Sequence, residues 1–464
     1  MGGAPVRHIV QIAPAIEPGR GVEAVAHHLE REFRRAGARV DRFTLSDAGG
    51  DWLPEPRGGM RGRAGHALRV AWFSTVGTVL ARRYLARNPD AVAICHNDAL
   101  TGDVYVNHGI LQVAMRARGR YAGRMVRNPL HLFTAVRDHL RYRSGTHRLV
   151  VNLTRQEDRD LRGTYPSLRP GTVVIGNGVD LDRFAPPTPD ERRAARATLG
   201  LGEDDVALLF VGHEFERKGL PAVLAALAEL PPQVHLVVVG GSVDMVAALV
   251  RTARRNGVQG RLPAVGAVPE PQRYFHASDV LVFPSAYESF GLVVLEAMAS
   301  GLPVIATRVG CVGDVVDEGV NGFVVDGGAA EIRDRVLTLL GSDRVALGRA
   351  ARRTAEAHGW ACVAREYLAV VDRLAARRAA TASRPRWGSC TRCAPTPSPG
   401  SSATSPPWRR RRSAPATGSP SSAAIRWPCA PRSDRGSRTG RRRRSPRWPR
   451  RSGGGGAATS STPT

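Results

Sequence analysis

Residues 283–301 read FPSAYESFGLVVLEAMASG. An apolar strand closes at Phe283, a short polar turn follows, and an almost wholly apolar helical run continues to Ala299. Ser289 is a residue type that caps helix starts, which would put Phe290, Gly291 and Leu292 in the first turn. A strand feeding a buried helix through a short turn is the unit of a parallel sheet covered on both faces. Main-chain N–H groups at such a helix start have no intrahelical acceptor, and Gly291 allows close approach, so the turn suits a phosphate-like anion. The one acid of the run, Glu296, stands seven residues past Ser289. That is two turns along the same face, roughly 10 Å by helix rise. A carboxylate in so apolar a helix needs donors, either ligand hydroxyls or an arginine elsewhere in the chain.

The same alternation extends in both directions. Towards the C-terminus, strands are expected at Ala207 to Val211, His235 to Val239, Val280 to Phe283, Val304 to Ala306 and Gly322 to Val325. Towards the N-terminus, they are expected at His8 to Ala13, Arg39 to Leu45, Ala91 to Cys95, Val104 to Asn107, Arg148 to Asn152 and Thr172 to Ile175. A loop with Gly19 and Gly21 and an amphipathic helix over Val22 to Ala36 complete a β-loop-α-β opening. The stretch DRFAPPTPD at residues 182–190 holds three prolines and reads as a linker. The expected fold is α/β, with two doubly wound units facing each other across a cleft. Residues 1–181 form the first, 182–190 a hinge and 191–380 the second. Ligands of open α/β sheets bind beyond the carboxyl ends of the strands, so the site belongs in that cleft.

Length and charge agree with this division. The 464 residues exceed one compact domain, and the net charge is +26. Residues 381–464 contain 18 Arg and one acid, Asp434, so +17 of that charge lies in the last 84 residues and +9 in the first 380. The basic character is therefore no ground for reading the whole chain as a nucleic-acid binder. The tail has 13 prolines and a single Ile, Leu, Val, Met or Phe, namely Ile425, and is expected to be disordered. Its Arg, Pro, Ser, Gly, Ala, Thr and Trp composition is also what GC-rich DNA yields when translated out of frame. Cys390 and Cys393 form C-x-x-C without a second pair or histidine cluster at zinc spacing, so no metal site is expected. Cys95, Cys311 and Cys362 lie far apart and suit a reducing cytosol. HIVQIAPAI at residues 8–16 runs directly into charged sequence, so no secretory signal is expected, and VAWFSTVGTVLA at 70–81 is too short to span a membrane.

Glu288 and Glu296, with seven residues between them, followed by AMASGLPVIAT, resemble the Glu-x7-Glu signature of retaining GT-B glycosyltransferases of the glycosyl transferases group 1 family. The resemblance recurs in order along the chain. VIGNGVDLDRFAP at 174–186 is similar to the family's inter-domain segment, and LLFVGHEFERKGL at 208–220 to its diphosphate loop. GVNGFVVD at 319–326 and HGWACVAREYLAVVDRL at 358–374 are similar to its closing segments.

The resemblance implies a cytoplasmic enzyme that transfers a hexose-type sugar from a nucleotide-diphosphate sugar to a sugar or lipid-linked acceptor, retaining anomeric configuration. Arg217 and Lys218, the latter the only lysine in the chain, would hold the diphosphate and stabilise its developing charge. Glu296 would accept from the ribose hydroxyls and Glu288 would sit by the donor sugar. Ser289, Phe290, Gly291 and Leu292 would present main-chain N–H groups, while Gly19 and Gly21 would let the first loop approach the diphosphate. His108, in YVNHGI, resembles the family's histidine beside the reacting sugar. His96 and Asp98 end another strand and are expected to face the same cleft.

Two departures stand out. His213 occupies the place of an arginine common in the diphosphate loop, and Gly310-Cys311-Val312-Gly313-Asp314 replaces a Gly-Gly-x-Pro-Glu pattern. The Asp180-Leu181-Asp182 triplet imitates a metal-binding D-x-D but lies in the inter-domain segment, and no divalent cofactor is expected. Residues 116–148 hold nine Arg and three His against the single acid Asp138, interleaved with Met125, Leu130, Leu132, Phe133 and Val136. Such a stretch fits either a helical face lying on anionic lipid at the inner side of the cell membrane or an ordinary solvated arginine-rich face. The competing readings are a GT-B epimerase or phosphorylase using the same cleft, and a basic nucleic-acid or membrane-binding module.

Overall fold

The computed structural model describes residues 7–19, 21–55, 59–119 and 121–382. Its strands form two parallel sheets. The first contains β1 (His8–Ile12), β2 (Arg39–Phe43), β3 (Val92–Cys95), β4 (Val104–Asn107), β5 (Leu149–Asn152) and β6 (Gly171–Val174), ordered β2-β1-β3-β4-β5-β6. The second contains β7 (Val206–Val211), β8 (Val234–Val239), β9 (Ala264–Gly266), β10 (Val280–Phe283), β11 (Val304–Thr307) and β12 (Gly322–Val325), ordered β12-β11-β10-β7-β8-β9. Helices cover both faces of each sheet, which is why the central strands are continuous apolar runs such as VALLFV and VHLVVV, with every residue buried except Val211 and His235 at intermediate exposure.

Every expected strand is present, with ends shifted by at most two residues. β9 was not anticipated: three half-buried residues, AVG, after a proline carry too little pattern to stand out. The proline-rich linker stops earlier than its composition suggests. Thr188 and Glu191 form a reciprocal capping box, with Pro189 in the first turn, so the helix Pro189–Ala197 already begins inside residues 182–190. Arg352 and Arg183 tie the remaining linker to the second half, Arg183 Nη2 donating to the Pro269 carbonyl at 3.4 Å. Arg352 Nη1 donates to the carbonyls of Leu181 at 3.3 Å, Phe184 at 3.1 Å and Ala299 at 2.7 Å.

The last helix, Trp360–Ala382, runs past both Ala375 and the 380 boundary and returns to the first sheet. It packs along the helix Gly21–Arg35, where Phe33 and Tyr367 meet edge-on at 6.3 Å. Arg378 then reaches Asp103 at 2.5 Å and the Ala91 carbonyl at 2.6 Å, so this one helix clamps both halves. The expectation of disorder beyond residue 380 falls outside the described residues, apart from Thr381 and Ala382, which close this helix.

Candidate active site

The carboxyl ends of both sheets open onto one cavity of about 620 Å³. Of the thirteen residues expected at the cleft, eleven line it: Gly19, Gly21 and His108 from the first half, and Arg217, Lys218, Glu288, Ser289, Phe290, Gly291, Leu292 and Glu296 from the second, while His96 and Asp98 do not.

The helix beyond β10 starts later than expected. It spans Leu292–Ala299, and its N-cap is Gly291 in left-handed conformation (φ 84°), with no side-chain cap. Ser289 is therefore not the cap, and Phe290 and Gly291 precede the first turn. A left-handed residue here is most easily a glycine, and its capping needs no hydroxyl. Glu296 then lies one turn beyond Leu292 rather than two turns past a cap, still on the cavity wall. Leu292 and Val293 bring the helix N-terminus, with its unbonded N–H groups and positive dipole end, to the cavity. The preceding loop is pinned from behind. Cys311 N–H donates to the Phe290 carbonyl at 2.7 Å, and a Cβ on Gly310 would come within 2.2 Å of that oxygen.

Beside this helix start lies an ionic cluster. Glu288 Oε1 accepts from Lys218 Nζ at 2.7 Å, from Ser285 Oγ at 2.9 Å and from Arg217 Nη1 at 3.3 Å. Arg217 Nε also donates to Glu214 at 2.6 Å, and its Nη1 to the Tyr287 carbonyl. Burial opposes the charge on Arg217, yet the Glu214 hydrogen bond and the Glu288 carboxylate raise its pKa above the ordinary value. Lys218 additionally rests 4.9 Å above the Phe283 ring. Two cations and a helix N-terminus therefore converge on one wall, with Glu288 between them.

His108 lines the cavity from the first half. Burial pushes the His108 pKa down to about 4, and its Nε2 is enclosed without a hydrogen-bond partner. His96 does not face the cavity. It is fully buried behind His108, stacked at 5.8 Å, and its Nε2 lies 2.8 Å from Gln11 Oε1. Gln11 Nε2 donates to the Ala26 carbonyl at 3.0 Å, which turns its amide oxygen towards His96 and fixes that ring's proton on Nε2. Asp98 is also absent from the cavity wall, since Arg137 binds it at 2.5 Å. A strand-end position alone could not distinguish these second-layer groups from lining ones.

Several lining residues escaped the sequence reading. His28 stacks on Trp360 at 4.9 Å, and both line the cavity with Asn177, Asp180 and Arg183. The signal for the last three was the inter-domain motif itself. Asp180 Oδ1 accepts from the N–H groups of Asp182 at 3.3 Å and Arg183 at 3.1 Å, so the D-x-D triplet closes a turn. Of the departures, His213 lines the cavity with its Nδ1 accepting from Gly241 N–H at 3.3 Å. Asp314 instead accepts from Arg155 N–H at 2.9 Å and ties the second half to the first. Among the described residues, no group of three or more His, Cys, Asp or Glu could hold a metal ion.

Comparisons with known proteins agree with this geometry. The family model of glycosyl transferases group 1 matches residues 191–354. The chain is 38% identical over 243 residues to a D-inositol 3-phosphate glycosyltransferase of Xylanimonas cellulosilytica, covering 50% of this chain and 58% of that protein. It is 38% identical over 230 residues to the protein of the same name from Streptomyces avermitilis, covering 46% and 49%. The chain thus spans about half the length of these curated relatives. In fold it resembles WaaG, a glycosyltransferase involved in lipopolysaccharide biosynthesis (TM-score 0.62, 21% identity, 78% of this chain and 99% of that one). It also resembles sucrose-phosphate synthase from Thermosynechococcus elongatus (TM-score 0.62, 24% identity, 80% and 100%). Paired six-stranded sheets on a shared cavity, with Glu288 before the Leu292–Ala299 helix and Glu296 within it on the cavity wall, are the GT-B fold, and residues 191–354 match the glycosyl transferases group 1 family.

Proposed function

We propose that this chain is a retaining glycosyltransferase that moves a hexose-type sugar from a nucleotide-diphosphate sugar to a sugar or lipid-linked acceptor, in the cytoplasm and at the inner face of the cell membrane. Residues 191–380 would bind the donor, residues 1–181 the acceptor, and 182–190 would act as the hinge. The observation that carries the reading is the single cavity wall on which Arg217, Lys218 and the Leu292–Ala299 helix start converge.

A diphosphate placed there would meet two cations and the free N–H groups of Leu292 and Val293. These groups stabilise the negative charge that builds on the leaving diphosphate as the sugar bond breaks. They would supply this stabilisation in place of a divalent ion, so activity should survive chelation by EDTA. Glu288 holds Lys218 and Arg217 in place and keeps capacity to accept a sugar hydroxyl. Glu296 would accept from the ribose. His108, held neutral by burial, would act as a hydrogen-bonding partner of the sugar and not as a cation. Retention is carried by the family resemblance.

The test is to incubate the purified chain with UDP-, GDP- and ADP-sugars, with and without candidate acceptors, and to follow nucleotide release and product. The D-inositol 3-phosphate named for the curated relatives and simple lipid-linked sugars are the first acceptors to try. Acceptor-dependent release with an α-linked product from an α-linked donor supports the proposal. Conversion of donor alone to an epimer, or phosphate-dependent cleavage, would contradict it.

A further inference from the structure

The helix Pro129–Arg143 is packed inside out. Soluble helices bury their apolar stripe and expose their charges. Here Arg141 is 0% exposed, Asp138 6% and Arg137 9%, while Leu132 is 59% exposed, Val136 54% and Leu140 52%. From the sequence, residues 116–148 fit either one cationic amphipathic face or an ordinary solvated arginine-rich face. The structure divides them among three helices, Leu111–Ala117, Tyr121–Arg127 and Pro129–Arg143, and turns two of the arginines inward.

The buried side is chemically complete enough to hold. Arg137 pairs with Asp98 at 2.5 Å and with Asp138 at 3.3 Å. Arg141 pairs with Asp138 at 3.2 Å, and its Nη2 lies within 3.1 to 3.3 Å of the carbonyls of Asn97, Asp98 and Ala99. Its guanidinium also rests 3.9 Å over the Tyr105 ring. A polar inner face so connected fixes the helix orientation, so the exposed stripe is a consequence of built contacts. Leu132, Val136 and Leu140 are spaced four residues apart and form one line on the outer face.

His139 and Arg143 are exposed beside that stripe, and Asp138, the one acid of residues 116–148, is turned away and paired. We infer that this outer face is a docking surface for an anionic lipid bilayer, with the three aliphatic side chains entering the headgroup boundary and the cations on lipid phosphates. The charge is complementary to such a surface. It has the same sign as residues 381–464, whose 18 Arg make that segment an unfavourable cover. Three half-exposed aliphatic side chains offer on the order of a few hundred Å², well short of the roughly 800 Å² per partner of a stable protein interface. The inference stands on the packing of this helix and does not depend on sugar transfer.

The test compares the full chain with its L132Q/V136Q/L140Q variant. Each is titrated with vesicles of phosphatidylcholine alone and of phosphatidylcholine with phosphatidylglycerol. The Arg-rich C-terminal segment contributes equally to both proteins, so the difference reads the stripe. The variant should partition onto the anionic vesicles about tenfold more weakly than the parent, with an unchanged circular dichroism melt. In a separate V136W variant, acyl-chain-brominated lipid should quench fluorescence beyond the parent's level. Equal partitioning of variant and parent, or unquenched Trp at 136, would overturn the inference. So would a parent dimer in sedimentation that the triple variant dissociates, because a second copy would then cover the stripe.

Discussion

Lys218 can lie along its loop only because residue 212 has no side chain. A Cβ on Gly212 would sit 2.2 Å from Lys218 Cδ. The lysine is flexible and would move, so Gly212→Ala should leave the melting temperature within a degree or two while lowering nucleotide-sugar affinity about tenfold, the scale of one charged hydrogen bond. Equal affinity for parent and variant in a calorimetric titration would show that Lys218 is not a donor contact. The buried titratable groups set the pH profile of stability. His108, at about 4, and His147, at about 3, are held below 6.5 mainly by burial, so the unfolded chain binds more protons over that interval. Their contribution is complete above pH 6.5 and declines as pH falls towards 4. Glu157 has the opposite sign: burial pushes it up to about 8, so it favours the fold at low pH and opposes it increasingly as pH rises from 4.5 to 8. E157Q should therefore lose less stability than the parent between pH 6 and pH 9 in thermal melts. These residue-scale facts were only partly legible. Arg217, Lys218, Glu288 and Glu296 carry their chemistry in their residue types and spacing. The burial of His96 and the pairing of Asp98 with Arg137 depend on contacts 39 residues or more apart, which local pattern does not encode.

Period and punctuation mark the elements, and tertiary packing decides their limits. The strands were visible because parallel strands buried on both faces are nearly unbroken apolar runs. The helix Leu292–Ala299 was visible as a helix, but its start was not. Ser289 satisfied the statistical preference for a cap, whereas the chain used a left-handed Gly291. The helix Pro129–Arg143 misled more deeply, since apolar residues were expected to share a face with exposed arginines and two arginines are buried instead. The last helix supplies a prediction at this scale. Tyr367 is 1% exposed against Phe33, with its hydroxyl buried and unpartnered. Y367A should destabilise by about 3–5 kcal/mol through cavity formation. Y367F removes an unsatisfied hydroxyl and should hold or raise the melting temperature. A marked loss of stability in Y367F would show that the hydroxyl has a partner after all.

At the scale of the molecule, the helix Trp360–Ala382 joins the two halves, and Arg378 anchors it to Asp103 and Ala91 of the first sheet. Truncation after Ala382 should keep the melting temperature and donor binding, while lowering salt-sensitive retention on polyanions because 18 Arg are removed. Truncation before Trp360 removes a buried interface with the helix Gly21–Arg35 and should abolish cooperative melting. Donor binding in the cavity between the sheets is the property tested most directly. Isothermal titration of the full chain, of Lys218→Ala and of Glu296→Ala with UDP-, GDP- and ADP-sugars reads donor binding without needing the acceptor. The account predicts one saturable donor class for the parent, weakened in each variant by about 1–3 kcal/mol with unchanged circular dichroism. Failure of the parent to bind any nucleotide sugar, or binding equally tight in both variants, would contradict it.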